Sequence, residues 1–113
     1  MFKTNWIWIP DWNAWDKEEP RIVYFRKEVD LHKVPEKLEI QISADSRYKL
    51  YVNGQLIEIG PCKGDDKIWY YDTVDIAPHL IQGKNILAVI VLRYPLERSK
   101  GNISIFRTHT PGL

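Results

Sequence analysis

Residues Ile42 to Gly60 read ISADSRYKLYVNGQLIEIG. Two alternating runs flank Asn53-Gly54, and a type I′ turn needs positive φ at both central residues, which this dipeptide supplies most readily. With those two residues as the loop, the register follows by counting. Val52 stands opposite Gln55, Tyr51 opposite Leu56, Leu50 opposite Ile57, Lys49 opposite Glu58, and Tyr48 opposite Ile59. Side chains alternate across a strand. One face of the hairpin is then Tyr48, Leu50, Val52, Ile57 and Ile59, and the other carries the Lys49–Glu58 charge pair. This pattern predicts a hairpin that covers a core on one side only.

Working outward, the flanking segments also read as short strands. Upstream, Lys37 to Ala44 alternates Leu38, Ile40, Ile42 and Ala44 against Glu39, Gln41 and Ser43. Ile22 to Leu31 sets Val23, Phe25, Val29 and Leu31 against Arg26, Glu28 and Asp30, with Lys27 breaking the apolar row near a sheet margin. Thr4 to Ile9, ended by Pro10, predicts an opening edge strand, and Asp11 to Arg21 a loop. Downstream, Pro61 to Lys67 reads as a polar loop and Ile68 to Ile76 as a strand. Ala77 to Leu80 predicts a single helical turn, and Gln82 to Asn85 a turn. Ile86 to Tyr94 is an almost unbroken apolar run, expected in a central strand covered on both faces or nearly so. Asn102 to Thr108 predicts a last strand, and Pro111-Gly112 ends the pattern. Short strands at regular spacing, with turn chemistry between them and no helical period, indicate an all-β sandwich.

Composition limits the function classes. A chain of 113 residues, 44% hydrophobic and 27% charged, is expected to form a single domain, 1–113. Sixteen basic against fifteen acidic residues create no field for nucleic acid or an anionic membrane. No window approaches a membrane span, and MFKTNWIWIPDW lacks an apolar run long enough for a signal peptide. The single cysteine, Cys62, cannot form an internal disulfide, and the compartment stays open.

The search for chemistry yields few candidates. His32, His79 and His109 lie in separate segments without metal-ligand spacing. Glu18-Glu19 and Asp65-Asp66 are the acid pairs a glycosidase reading would need, although adjacent loop acids read more simply as solvated surface. The triplet Asn102-Ile103-Ser104 fits a glycosylation acceptor. Gly64-Asp65-Asp66 offers oxygens of the kind Ca²⁺ takes, but a solvated turn is the plainer reading, so no cofactor is expected. Aromatic residues in or beside loops stand out: Trp12, Trp15 and Trp69, with Tyr70 and Tyr71. Flat aromatic faces next to polar groups suit sugar rings, which makes Trp12, Trp15, Asp65, Asp66 and Trp69 the candidate carbohydrate contacts. The competing reading is that these tryptophans plug the ends of a small sandwich.

The stretch ISADSRYKLYVNGQLIEIGP followed by WYYDTVDIAPHLIQGKNILAVIV resembles the N-terminal β-sandwich of bacterial α-L-rhamnosidases and related glycoside hydrolases. The resemblance rests on A-D-x-R-Y-x-L-Y-V-N-G (Ala44 to Gly54), Gly60-Pro61, and Y-D-T-x-D-I (Tyr71 to Ile76). The Pro78-His79-Leu80 turn and Gly-Lys-Asn-Ile-Leu-Ala-Val (Gly83 to Val89) complete it. With Trp6-Ile7-Trp8 and Tyr24-Phe25-Arg26-Lys27, it covers roughly Trp6 to Leu92. It implies a jelly-roll β-sandwich of the galactose-binding-like kind. It also implies a non-catalytic module of a larger enzyme whose catalytic carboxylates sit on a separate α/α barrel, so no catalytic residue is carried over and the chain is expected to be a fragment. The expected partners are that catalytic domain and carbohydrate. The further expectation is either self-association through a terminal edge strand or an apolar patch where the catalytic domain would dock, the patch including one or more of Trp6, Trp8 and Phe106. A free-standing carbohydrate-binding module and a protein-interaction domain are the alternatives.

Overall fold

The computed structural model describes residues 5–10, 20–62, 68–94 and 112–113. Among these residues six strands follow in chain order: β1 Arg21–Leu31, β2 Glu39–Ile42, β3 Arg47–Val52, β4 Gln55–Gly60, β5 Asp72–Asp75 and β6 Gly83–Arg93. They form an antiparallel four-stranded sheet in the order β1-β6-β3-β4 and an antiparallel two-stranded sheet, β2-β5. A single 3₁₀ turn, Ala77–His79, links β5 to β6, where the sequence predicts a helical turn.

The core lies between the sheets. Tyr48, Leu50 and Val52 of β3 and Val89 and Val91 of β6 point inward, and Ile42, Ile76 and Leu80 close over them from the other side. Phe25 and Leu31 of β1 pack against the same cluster, and Lys27 lies exposed between them as the broken apolar row predicts. The long apolar strand β6 is central, paired on both edges by β1 and β3. Its inward residues Val89 and Val91 are buried, whereas Ala88, Ile90 and Leu92 on the opposite face are only half-buried. Apolar length therefore identified the middle strand without full cover on both faces.

The hairpin turn forms as read, with φ of 50° at Asn53 and 81° at Gly54. The register beyond it differs. Val52 pairs with Gln55 and Tyr51 with Leu56, but a bulge then shifts the pairing, so that Leu50 faces Glu58, Lys49 faces Ile59 and Tyr48 faces Gly60. The extra residue is Ile57, which still packs on the core. Because side chains alternate with period two, one inserted residue inverts everything beyond it. Ile59, expected inside, is 52% exposed beside Lys49, and Gly60 is buried beneath Tyr48. Glycine is required there: a Cβ at position 60 would overlap the Asp72 carboxylate and come within 2.9 Å of the Tyr48 ring.

Other segments are shorter than their sequence patterns. The alternation from Lys37 to Ala44 yields a strand only over Glu39–Ile42, and Ile68 to Ile76 only over Asp72–Asp75. The turn expected at Gln82 to Asn85 is brief, since β6 begins at Gly83, where φ is +93°. Residues 5–9 are not a strand, although Ile7 exchanges two backbone hydrogen bonds with Leu113, both 3.1 Å. Gly112 bridges to Asp45 and lies so close to Trp6 that a Cβ would strike the indole. The strand expected at Asn102 to Thr108, and Phe106 within it, lie outside the described residues.

Two polar devices brace the four-stranded sheet against the segments beside it. The Asn53 side chain accepts from the Ile86 N–H and donates to the carbonyl of His79 and to Asn85 Oδ1, each at 2.9 Å. Asn85 is fully buried, donating to the carbonyls of Ile81 and Gly83 and accepting from the Ile81 N–H at 2.8 Å. Its donors and acceptor are thus all satisfied, the condition for a stable buried amide. At the other end, Arg93 and Asp45 form a fully buried ion pair at 2.6 Å. Ser46 Oγ donates to Asp45 and accepts from the Tyr94 N–H, both at 3.1 Å.

Candidate functional site

The segment 68–72 carries the side chains closest to a site. Ser43, buried just after β2, anchors it by donating from Oγ to the Tyr70 carbonyl at 2.6 Å. Trp69 is half-buried, and its ring meets Trp6 nearly perpendicular, at 83° and 6.0 Å between centroids. Tyr70 and Tyr71 beside it remain exposed. Directly after Tyr71, Asp72 enters β5 and accepts a hydrogen bond of 2.5 Å from Tyr48 Oη. The Cys62 thiol lies 3.9 Å from the other carboxylate oxygen. Burial first, and the hydrogen bond to Asp72 second, raise the Tyr48 phenol well above its ordinary range, so it stays protonated.

This arrangement spends its polar groups on one another. Asp72 receives Tyr48 and faces Cys62 rather than pointing at an open cleft. Asp75 accepts from the backbone N–H groups of Leu38 and Ala77, and those two bonds hold its carboxyl below the usual range. Lys37 is raised by its hydrogen bond to Glu39, an exposed pair at 2.8 Å. Among the described residues there is no cluster of three or more histidine, cysteine or acidic side chains able to hold a metal ion. Nor is any helix among the described residues long and apolar enough to cross a membrane.

Of the residues proposed from sequence for carbohydrate, only Trp69 falls within the described set. Trp12, Trp15, Asp65 and Asp66 lie outside it, as do the acid pair Glu18-Glu19 and His109. His32 follows β1 at the surface, and His79 in the 3₁₀ turn has Nδ1 3.4 Å from Gln55 Oε1. The structure adds residues that sequence reading did not single out: the Tyr48–Asp72 bond, the Asp45–Arg93 pair and the Asn53–Asn85 lock. Their partners are far apart in the chain, and the signal available for one of them is the placement of Arg93 on the same parity as the inward Val89 and Val91.

A four-stranded and a two-stranded antiparallel sheet closed over one core define an all-β sandwich domain. No protein-family profile matches the chain. An α-L-rhamnosidase of Streptomyces avermitilis is 30% identical over 87 residues, which is 76% of this chain and 8% of that protein. The crystal structure of a GH78 family rhamnosidase of Bacillus sp. GL1 superposes with a TM-score of 0.68 and 35% identity, covering 82% of this chain and 10% of that one. The chain is a rhamnosidase-related β domain, and it spans about a tenth or less of the relatives it matches.

Proposed function

We propose that this chain is a non-catalytic β-sandwich module of an α-L-rhamnosidase-type glycoside hydrolase, supporting that enzyme's catalytic domain. The observation that carries the proposal is the asymmetry of the matches: most of this chain corresponds to a small share of each rhamnosidase. The local chemistry agrees, since Asp45, Asp72 and Asp75 all hold structural partners instead of standing as an acid pair across a cleft. The isolated chain should leave an aryl α-L-rhamnoside uncleaved, while the full-length gene product containing it cleaves the same compound. Turnover by the isolated chain that disappears on replacing Glu18, Glu19, Asp65 or Asp66 would overturn this reading.

A second reading adds saccharide contact at the aromatic corner, favoured by the exposed edges of Trp6 and Tyr70 beside Trp69. Rhamnose should then quench tryptophan fluorescence in a saturable way, and Trp69→Ala should remove the response. Unchanged fluorescence across the titration would leave the module purely supportive.

A further inference from the structure

We propose that the outward face of the four-stranded sheet docks another folded part of the parent enzyme, one presenting apolar side chains rimmed by carboxylates. This rests on the module reading above. The pairing sets Ile22, Leu92 and Arg47 side by side in one outward row, and Tyr24, Ile90, Lys49 and Ile59 in the next. Ile22 is 55% exposed and Tyr24 74% exposed, so this face presents apolar side chains to water. The bulge at Ile57 extends it, because inverting β4 turns Ile59 outward. Contiguous apolar surface of this kind marks an interaction face, whereas scattered apolar residues need no explanation.

The charges on the face indicate what covers it. At the far end Glu28 is already held by Arg26 at 2.9 Å and Lys84 at 3.5 Å. At the apolar end stand Arg47 and Lys49, which make no ion pair among the described residues. An occupant seated over Ile22, Tyr24 and Ile90 therefore meets two cations and, among the described residues, no acid at its edge, and complementarity calls for carboxylates on its rim. A second copy laid patch to patch would instead bring four cations together. The nine-tenths of the relatives' length beyond the matched span is the natural source of the partner.

Thiol labelling tests this with the full-length gene product and the 113-residue chain side by side. In a Cys62→Ser background, the Tyr24→Cys variant should react with a maleimide about tenfold more slowly in the full-length protein than in the short chain. The Ile81→Cys variant, exposed just before β6 at the opposite end of the sheet from Ile22 and Leu92, should react equally in both. Adding Arg47→Glu and Lys49→Glu should restore fast labelling at position 24 in the full-length protein. Equal rates at position 24 would sink the docking face and leave the module reading intact. Slowing that grows with the concentration of the short chain would assign the face to a second copy and overturn the proposal. A gene product with no glycosidase region would remove both readings together.

Discussion

The two faces of the four-stranded sheet are built from the same strands and obey different rules. Inward, Tyr48, Leu50, Val52, Val89 and Val91 are buried, and three polar intruders each have a partner: Asn85 its amide network, Arg93 its carboxylate, Tyr48 its Asp72. Outward, Tyr24, Ile22 and Ile59 are apolar and open, with Arg47 and Lys49 among them making no ion pair among the described residues. Hydrophobic composition alone does not separate these faces. What separates them is polar satisfaction, which low dielectric demands inside and water supplies outside.

The sharpest way to break the inner face is at its buried ion pair. Arg93→Ala leaves Asp45 as an uncompensated buried charge and should cost roughly 3–5 kcal/mol, with a large fall in the denaturant midpoint. A loss below about 1 kcal/mol would mean that water reaches Asp45. Next comes the core itself: Leu50→Ala should cost about 2–4 kcal/mol through transfer and cavity terms. Urea unfolding measures both, and a Leu50 variant as stable as the parent would show the inward assignment of β3 to be off by one residue.

A smaller effect sharpens the role of Tyr48. Tyr48→Phe should cost about 1 kcal/mol near neutral pH, the worth of one hydrogen bond. Its pH dependence is more telling. The folded phenol is raised above the unfolded value of about 10, so the unfolded chain loses that proton first and folding stability falls as pH rises past that point. The contribution is complete below that value and shrinks above it, so the gap between parent and variant should narrow in alkaline unfolding curves. A gap that stays constant to high pH would remove the Tyr48–Asp72 bond as its cause. The smallest effect belongs to the outer face. Tyr24→Ser and Lys49→Ala should each change the stability of the isolated chain by less than about 0.5 kcal/mol, and a clear loss at Tyr24 would show that face to be covered already.

Local chemistry was legible in the residues. Asn53-Gly54 announced its turn because few dipeptides tolerate positive φ twice, and the apolar run of β6 announced a middle strand. The alternation of β1 also survived, down to Lys27 at the margin. The candidate site was far less visible. Trp69 was named for its flat face, yet its ring packs half-buried against Trp6, a residue 63 positions earlier in the chain.

By itself, then, the amino-acid order determined that β1, β3, β4 and β6 extend, where the hairpin turns, and that an all-β sandwich would result. These depend on backbone sterics and on side-chain period, which act over a few residues. Only the tertiary structure decided the register beyond Leu50, because the bulge at Ile57 answers to the Tyr48 ring and the Asp72 carboxylate that crowd Gly60 from another strand. The same holds for the partners of Asp45 and Asn85. Such contacts join residues far apart in the chain, and their energy depends on a distance that no local pattern encodes.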